Sequence, residues 1–71
     1  MVLTVQSLAK NIKKYRQKSG MSQDKLSKLA GVNLHTITKI ESGATLDPRV
    51  KTIKKIAAAL GCSIDELLIT T

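Results

Sequence analysis

Polar side chains occupy the outward positions of a short amphipathic segment between Asn33 and Gly43. Lys39 can donate hydrogen bonds to guanine O6 and N7, and His35 can donate to a guanine acceptor or to a phosphate. Because threonine and histidine are mediocre helix formers, helix propensity does not explain this surface. We therefore interpret it as a surface that reads DNA bases. Its outward positions are Leu34, His35, Thr36, Thr38, Lys39 and Ser42.

Three of these side chains also have a less specific interpretation, which the residues alone leave open. Lys39 fits a solvated helix lysine, and His35 fits a neutral surface histidine. Leu34 can pack on the methyl group of thymine, or it can serve only as a contact where the helix begins.

The positive charge of the chain is high and unevenly distributed. The net charge is +7 over 71 residues, and all 12 lysine and arginine residues lie between Lys10 and Lys55. Residues 56–71 carry no basic residue, and their charged residues are Asp65 and Glu66. This split indicates that the basic region between Lys10 and Lys55 binds a polyanion, whereas the C-terminal end is mainly apolar. Basic helices that are merely solvated remain the alternative.

The composition argues against several other classes of protein. One histidine, one cysteine and five scattered carboxylates offer no acid–base pair, no activated nucleophile and no metal cluster, so we predict no enzyme, metal site or cofactor. Tyr15 is the only aromatic residue, which disfavours binding of single strands by base stacking. No apolar run approaches the roughly 20 residues of a membrane span, and no signal peptide is recognisable. We expect a cytoplasmic protein, associated with the nucleoid when bound to DNA.

Hydrophobic spacing and capping residues predict five short helices and no strand, hence one all-α domain over residues 1–71. The first helix should run from about Ser7 to Lys18, and Ser22 and Asn33 should cap the second and third. The second helix should bury Leu26, Leu29 and Ala30.

Two further helices are predicted after Gly43. Asp47 and Pro48 should open the fourth as N-cap and first helical residue, with Val50 at the start of its buried stripe. Ser63 and Glu66 have the spacing of a capping box that opens the fifth.

Residues 22–43 combine the second and third helices into a helix-turn-helix, with a turn at Ala30-Gly31-Val32. In such a motif the first helix braces against the DNA backbone and the second enters the major groove. The segment resembles the Xre/Cro-type helix-turn-helix family, which includes the lambdoid phage repressors. The resemblance extends from about Leu8 to Leu68. It rests on Arg16, Met21-Ser22-Gln23-xx-Leu26, Ala30-Gly31-Val32, Ile37-xx-Ile40-Glu41-x-Gly43, Pro48 and Leu60-Gly61-Cys62-Ser63-xx-Leu67-Leu68.

The resemblance implies a compact five-helix, lambda-repressor-like fold and a set of contacts to double-stranded DNA. Gln23 and Asn33 match positions that bond phosphates, and Arg49 matches one that reaches the backbone or minor groove. Arg16 and Glu41 match an ion pair between the third and first helices. The base-reading positions correspond to Leu34, His35 and Lys39, flanked by Thr36 and Thr38. The predicted DNA-binding residues are Arg16, Gln23, Asn33, Leu34, His35, Thr36, Thr38, Lys39, Ser42 and Arg49.

The C-terminal end carries more apolar surface than a two-turn helix needs. We interpret the excess as a homodimer interface, which would place two modules on half-sites about 34 Å apart. Burial of all of it in the monomer core is the alternative. The predicted interface residues are Leu60, Cys62, Ile64, Leu67, Leu68 and Ile69.

Together these features predict a sequence-specific DNA-binding transcriptional regulator, a repressor that binds an inverted-repeat operator as a homodimer. An antitoxin with a toxin partner and a restriction–modification controller are the alternatives. The residues do not reveal the operator sequence, the direction of regulation or any effector.

Overall fold

The computed structural model describes residues 5–44 and 48–68 and contains five helices, with no strand in these two stretches. Their bounds are Val5–Lys18 (α1), Gln23–Ala30 (α2), Leu34–Ser42 (α3), Val50–Leu60 (α4) and Ile64–Leu68 (α5). The predicted all-α, five-helix fold is confirmed. The helix-turn-helix corresponds to α2 and α3.

Side-chain caps begin both helices of the motif, as the sequence predicts. The hydroxyl of Ser22 accepts a 3.0 Å hydrogen bond from the backbone N–H of Lys25. The side-chain oxygen of Asn33 accepts a 2.8 Å bond from the N–H of His35. Such a cap is typically worth about 1 kcal/mol, so the two starting points are well defined by local chemistry.

The turn between α2 and α3 depends on a left-handed backbone at Gly31, with φ 69° and ψ 33°. The N–H groups of Gly31 and Val32 both donate to the carbonyl of Ser27, which ends α2. A Cβ placed on Gly31 would meet no atom within 4 Å. The glycine is therefore required by its backbone angles and not by lack of space.

The start of α4 differs from the prediction. Pro48 and Arg49 precede the helix, which begins at Val50, and Arg49 is an N-cap without a side-chain hydrogen bond. The predicted N-cap, Asp47, lies outside the described residues. A proline φ is compatible with extended backbone as well as with the first helical turn, so Pro48 does not determine where α4 starts.

One hydrophobic core joins all five helices. Its fully buried large side chains are Leu8, Ile12, Leu26, Ile37, Ile56 and Leu67. Complete burial of such a side chain contributes about 1.5–3 kcal/mol. Through Leu67, even the five-residue α5 takes part in the core.

Two apolar residues assigned to buried stripes are exposed instead. Leu29 is 57% exposed and Val50 is 64% exposed. On α2 the packed side includes Ser27, which is 5% exposed and satisfies its hydroxyl by donating a 2.7 Å bond to the carbonyl of Asp24. Leu29 lies on the opposite flank of Leu26, about 60° away around the helix. The hydrophobic periodicity of a helix locates its apolar stripe, but the packing of the neighbouring helices determines which side of that stripe is buried.

Polar contacts from α1 hold α5 in place. The side-chain amide of Asn11 donates to the carbonyl of Leu67 at 2.8 Å, and the Tyr15 hydroxyl donates to a Glu66 carboxylate oxygen at 3.2 Å. The predicted capping box is also present, with the Glu66 N–H donating to the Ser63 hydroxyl at 3.1 Å and the Ser63 N–H donating back to the Glu66 carboxylate at 3.2 Å.

Candidate nucleic-acid interface

The outward face of α3 is exposed and continuous. His35 and Lys39 are one turn apart, and Leu34, Thr38 and Ser42 form the adjacent row at the same four-residue spacing. All five residues are exposed, with Leu34 at 42%. The same helix is anchored from behind by two buried isoleucines. It can therefore present five side chains to a groove without disturbing the core.

Two of the predicted contact residues sit at the margins of this face. Thr36 is half-buried, on the opposite side of Ile37 from Thr38. Asn33 is exposed, but its side-chain oxygen is occupied by capping α3. The side-chain NH₂ group of Asn33 is the donor that it can offer to a phosphate.

A two-bond ion pair locks α3 onto α1. Arg16 Nε lies 2.7 Å from Glu41 Oε2, and Arg16 Nη2 donates to Glu41 Oε1 at 3.0 Å. The side chains are only 12% and 3% exposed. The hydrogen bond to Glu41 raises the pKa of Arg16 above its ordinary value, against the opposing effect of burial. A pair of this kind contributes more to the orientation of the helices than to net stability.

Arg16 also fixes the turn between α1 and α2, because its Nη1 donates to the carbonyl of Met21 at 2.8 Å. Three of its five N–H donors are therefore used within the protein. The resemblance places Arg16 among the DNA-binding residues as well as in the ion pair. In the structure its guanidinium is positioned for the structural role.

Gln23, the first residue of α2, belongs to the same polar cluster. Its Nε2 donates to Glu41 Oε1 at 3.1 Å, and its Oε1 accepts a 3.4 Å bond from the hydroxyl of Thr38. The Thr38 hydroxyl also donates to the carbonyl of Leu34 at 3.0 Å. The resemblance implies the pair of Arg16 and Glu41, but not the contacts that Gln23 makes with Glu41 and Thr38. Gln23 lies on a different helix, and no local spacing in the sequence relates it to them.

A shallow cleft of about 320 Å³ lies where α1, α2 and α3 meet. Its lining residues are Lys13, Arg16, Gln23, Thr38, Glu41 and Ser42. Glu41 is the acidic residue among them, and Arg16 neutralises it. Lys13, which the sequence did not place in the site, is exposed at this cleft and adds a positive charge. The cleft is therefore cationic and rich in donors, which suits an anionic group such as a phosphate.

The remaining predicted contact, Arg49, is exposed immediately before α4. The outer surface of α4 also carries Lys51, Lys54 and Lys55, all of them exposed. Positive charge is thus exposed on α1, α3 and α4. Charges arranged in this way attract polyanions by long-range electrostatics.

The predicted dimer residues are less accessible than expected. Leu67 is fully buried in the core, so its assignment to a surface patch is wrong. Ile69 lies outside the described residues. The other four predicted residues are half-buried and pack against the core, namely Leu60, Cys62, Ile64 and Leu68.

The thiol of Cys62 has a raised pKa. Partial burial is the main cause, and the nearby charge of Glu66 adds to it, so the thiol stays protonated at neutral pH.

Comparisons with known proteins agree with this geometry. A family model described as helix-turn-helix matches residues 12–67. The transcriptional regulator SlrR of Bacillus subtilis is 36% identical over 56 residues, which cover 79% of this chain and 37% of SlrR. The regulator SinR of the same species is 31% identical over 61 residues, which cover 86% of this chain and 55% of SinR.

Among solved structures, SinR in complex with DNA matches with a TM-score of 0.84 and 31% identity. The match covers 87% of this chain and 98% of that one. The chain thus spans about half of the length of SinR and less than half of that of SlrR. Within the described stretches, no helix is long and apolar enough to cross a membrane. The family match covers most of the sequence, including both helices of the motif and the cleft beside them, so the chain belongs to the Xre/Cro-type helix-turn-helix family of DNA-binding domains.

Proposed function

We propose that this protein is a sequence-specific transcriptional regulator that inserts α3 into the major groove of double-stranded DNA. The observation that carries the proposal is the exposed face of α3, held in a fixed orientation by the buried pair of Arg16 and Glu41. The similarity to SinR, which was solved in complex with DNA, supports the same partner. The cytoplasm, and the nucleoid when bound, is the location that this function implies.

The proposed contacts divide into two kinds. Gln23 and Asn33 lie at the N-termini of α2 and α3, where backbone N–H groups and the helix dipole favour a phosphate. Leu34, His35 and Lys39 project from α3 toward the base edges, where Lys39 suits guanine. Phosphate contacts position the protein, and base contacts select the sequence.

We further propose that the regulator is a repressor that binds an inverted repeat as a homodimer. One module of this size buries little DNA surface, whereas two modules on half-sites one helical turn apart gain affinity and specificity. Leu60, Ile64 and Leu68 supply half-buried apolar surface near the C-terminal end. The curated relatives SlrR and SinR are transcriptional regulators, which favours a transcriptional regulator over an antitoxin or a restriction–modification controller.

The central experiment is selection of bound sequences from a random pool of DNA duplexes. We expect enrichment of a palindrome whose half-sites are about 10 base pairs apart. Enrichment of a single half-site would contradict the dimer, and no enrichment over random DNA would contradict sequence-specific binding. On the selected site, affinity should fall with salt at a slope of about −0.9 per phosphate neutralised.

Lys39→Ala tests the proposed base contact. The variant should lose about 1–3 kcal/mol of binding free energy on the selected duplex and little on a scrambled duplex. Lys55→Ala removes the same charge from the outer face of α4 and should weaken both duplexes by a similar small factor. Equal losses on both duplexes for Lys39→Ala would make Lys39 a phosphate contact.

The dimer is tested at Leu68, because the buried Leu67 cannot be replaced by a charged residue without disrupting the core. Leu68→Asp should lower the sedimentation mass to that of one chain and weaken operator binding. Circular dichroism should show that the helices are retained. A mass that is unchanged from the wild type would exclude this surface as the interface.

A further inference from the structure

We propose that Thr38 is a positioning residue that acts on DNA through Gln23, and that it is not itself a base contact. The inference rests on the proposed DNA-binding function and refines it. Three observations carry it: the bonds that Gln23 makes to two residues of α3, the bonds already made by the Thr38 hydroxyl, and the position of the cleft.

The side-chain amide of Gln23 donates one hydrogen bond to α3 and accepts another from it. Its Nε2 donates to Glu41 Oε1 at 3.1 Å, and its Oε1 accepts from Thr38 Oγ1 at 3.4 Å. Thr38 and Glu41 are three residues apart and thus lie one above the other on α3. An amide rotated by half a turn would bring its oxygen against the Glu41 carboxylate, which is repulsive. The two residues of α3 therefore select one orientation of the Gln23 amide.

In the selected orientation, the second N–H of the Gln23 amide can donate a hydrogen bond to an anion. One hydrogen of the NH₂ group is engaged by Glu41, and an amide carries two. Gln23 lines the cleft beside Lys13 and Ser42, at the N-terminus of α2. A phosphate in the cleft would meet an amide that is already oriented, so less conformational entropy is lost on binding.

The hydroxyl hydrogen of Thr38 is meanwhile committed within the protein. Its single hydrogen is shared between the carbonyl of Leu34 at 3.0 Å and Oε1 of Gln23 at 3.4 Å. A base acceptor would have to displace both bonds. Thr38 therefore links the reading helix to the phosphate-binding start of α2, and its loss should be felt on every DNA sequence alike.

A double-mutant cycle tests this link. Affinities are measured for the wild type, Thr38→Val, Gln23→Ala and the double variant, each on the selected duplex and on a scrambled duplex of equal length. Thr38→Val should weaken both duplexes by about 2- to 10-fold, as expected for one neutral hydrogen bond. In the Gln23→Ala background, the same substitution should change affinity by less than about twofold, because the residue through which Thr38 acts is gone.

Three further variants control for side effects. Thr38→Ser keeps the hydroxyl and should recover most of the loss, while Thr52→Val removes a hydroxyl from α4 and should leave binding unchanged. Because valine is β-branched and disfavours helix, Thr38→Ala repeats the cycle with a strong helix former. Thermal unfolding of each variant verifies that the fold is kept.

The outcomes separate the inference from the function on which it rests. A Thr38→Val effect that persists in the Gln23→Ala background, or that appears only on the selected duplex, would make Thr38 a direct contact and overturn the inference alone. No effect of Thr38→Val on either duplex would overturn it as well. A wild-type protein that binds neither duplex would overturn the proposed function and the inference together.

Discussion

The two halves of the molecule position their helices in different ways. In the helix-turn-helix, side-chain caps begin both helices, and the buried pair of Arg16 and Glu41 sets the position of α3. At the C-terminal end, α4 begins without a side-chain cap. The short α5 is held by burial of Leu67 together with its capping box and the hydrogen bonds from α1.

This difference matches what each half has to do. Hydrogen bonds and ion pairs are directional, so they can hold a reading surface at a defined angle. Apolar burial is non-directional and supplies the free energy of folding. Apolar burial stabilises both regions, because Leu26 and Ile37 of the helix-turn-helix are as fully buried as Leu67. The largely buried ion pair is what distinguishes the helix-turn-helix, and three substitutions test this difference.

Arg16→Met should produce the largest effect, because it leaves the buried Glu41 carboxylate without its cationic partner and with only the neutral bond from Gln23. We expect a loss of about 3–5 kcal/mol in the free energy of unfolding. The measurement is denaturant unfolding, with Lys13→Met as the control that removes an exposed charge one turn earlier on α1. If both variants lose the same small amount of unfolding free energy, the helix-turn-helix does not depend on this pair.

Leu67→Ala tests the C-terminal end. It should lower the free energy of unfolding by about 2–4 kcal/mol, because it removes a fully buried side chain and leaves a cavity. Leu68→Ala, at the half-buried neighbouring position, should cost less than about 1.5 kcal/mol. Denaturant unfolding of both variants gives the difference. Equal costs would show that α5 is not anchored in the way its burial indicates.

Glu66→Gln should have the smallest effect, and that effect should depend on pH. Bonds from the N–H and hydroxyl of Ser63, and then from the hydroxyl of Tyr15, lower the pKa of Glu66 below its ordinary value. The charged form is favoured in the folded state, so its contribution is present above the ordinary pKa and is lost as pH falls through the lowered one.

The measurement is the unfolding midpoint of wild type and Glu66→Gln as a function of pH. The gap between the two proteins should be largest near neutral pH and should close on acidification. Asp65→Asn changes the adjacent exposed carboxylate and serves as the control. A gap that stays constant with pH would mean that the charge of Glu66 does not help to hold α5.

The sequence predicts the features that depend on a few neighbouring residues. The caps at Ser22 and Asn33 and the box at Ser63 and Glu66 were predicted because both partners lie within four residues of each other. Gly31 was predicted because few residues other than glycine adopt the left-handed backbone readily.

The features that the sequence missed depend on tertiary neighbours. Nothing near Gln23 in the sequence indicates that Glu41 and Thr38 will orient its amide. The bond from Asn11 to the carbonyl of Leu67 spans 56 residues. Leu67 was assigned to a surface because its apolar character was visible and the helices that cover it were not.

The uneven charge of the chain has a consequence for its behaviour in salt. The ion pairs among the described residues join Arg16 to Glu41 and Lys28 to Asp24. Each joins one positive to one negative charge, so the net charge of +7 is not reduced by them. Like charges on a small domain repel one another, so screening by salt should stabilise the free protein. The same salt competes with the protein for phosphates. Bound DNA thus replaces the ions that otherwise relieve this repulsion, and the domain should resist unfolding most when it is on its operator in dilute salt.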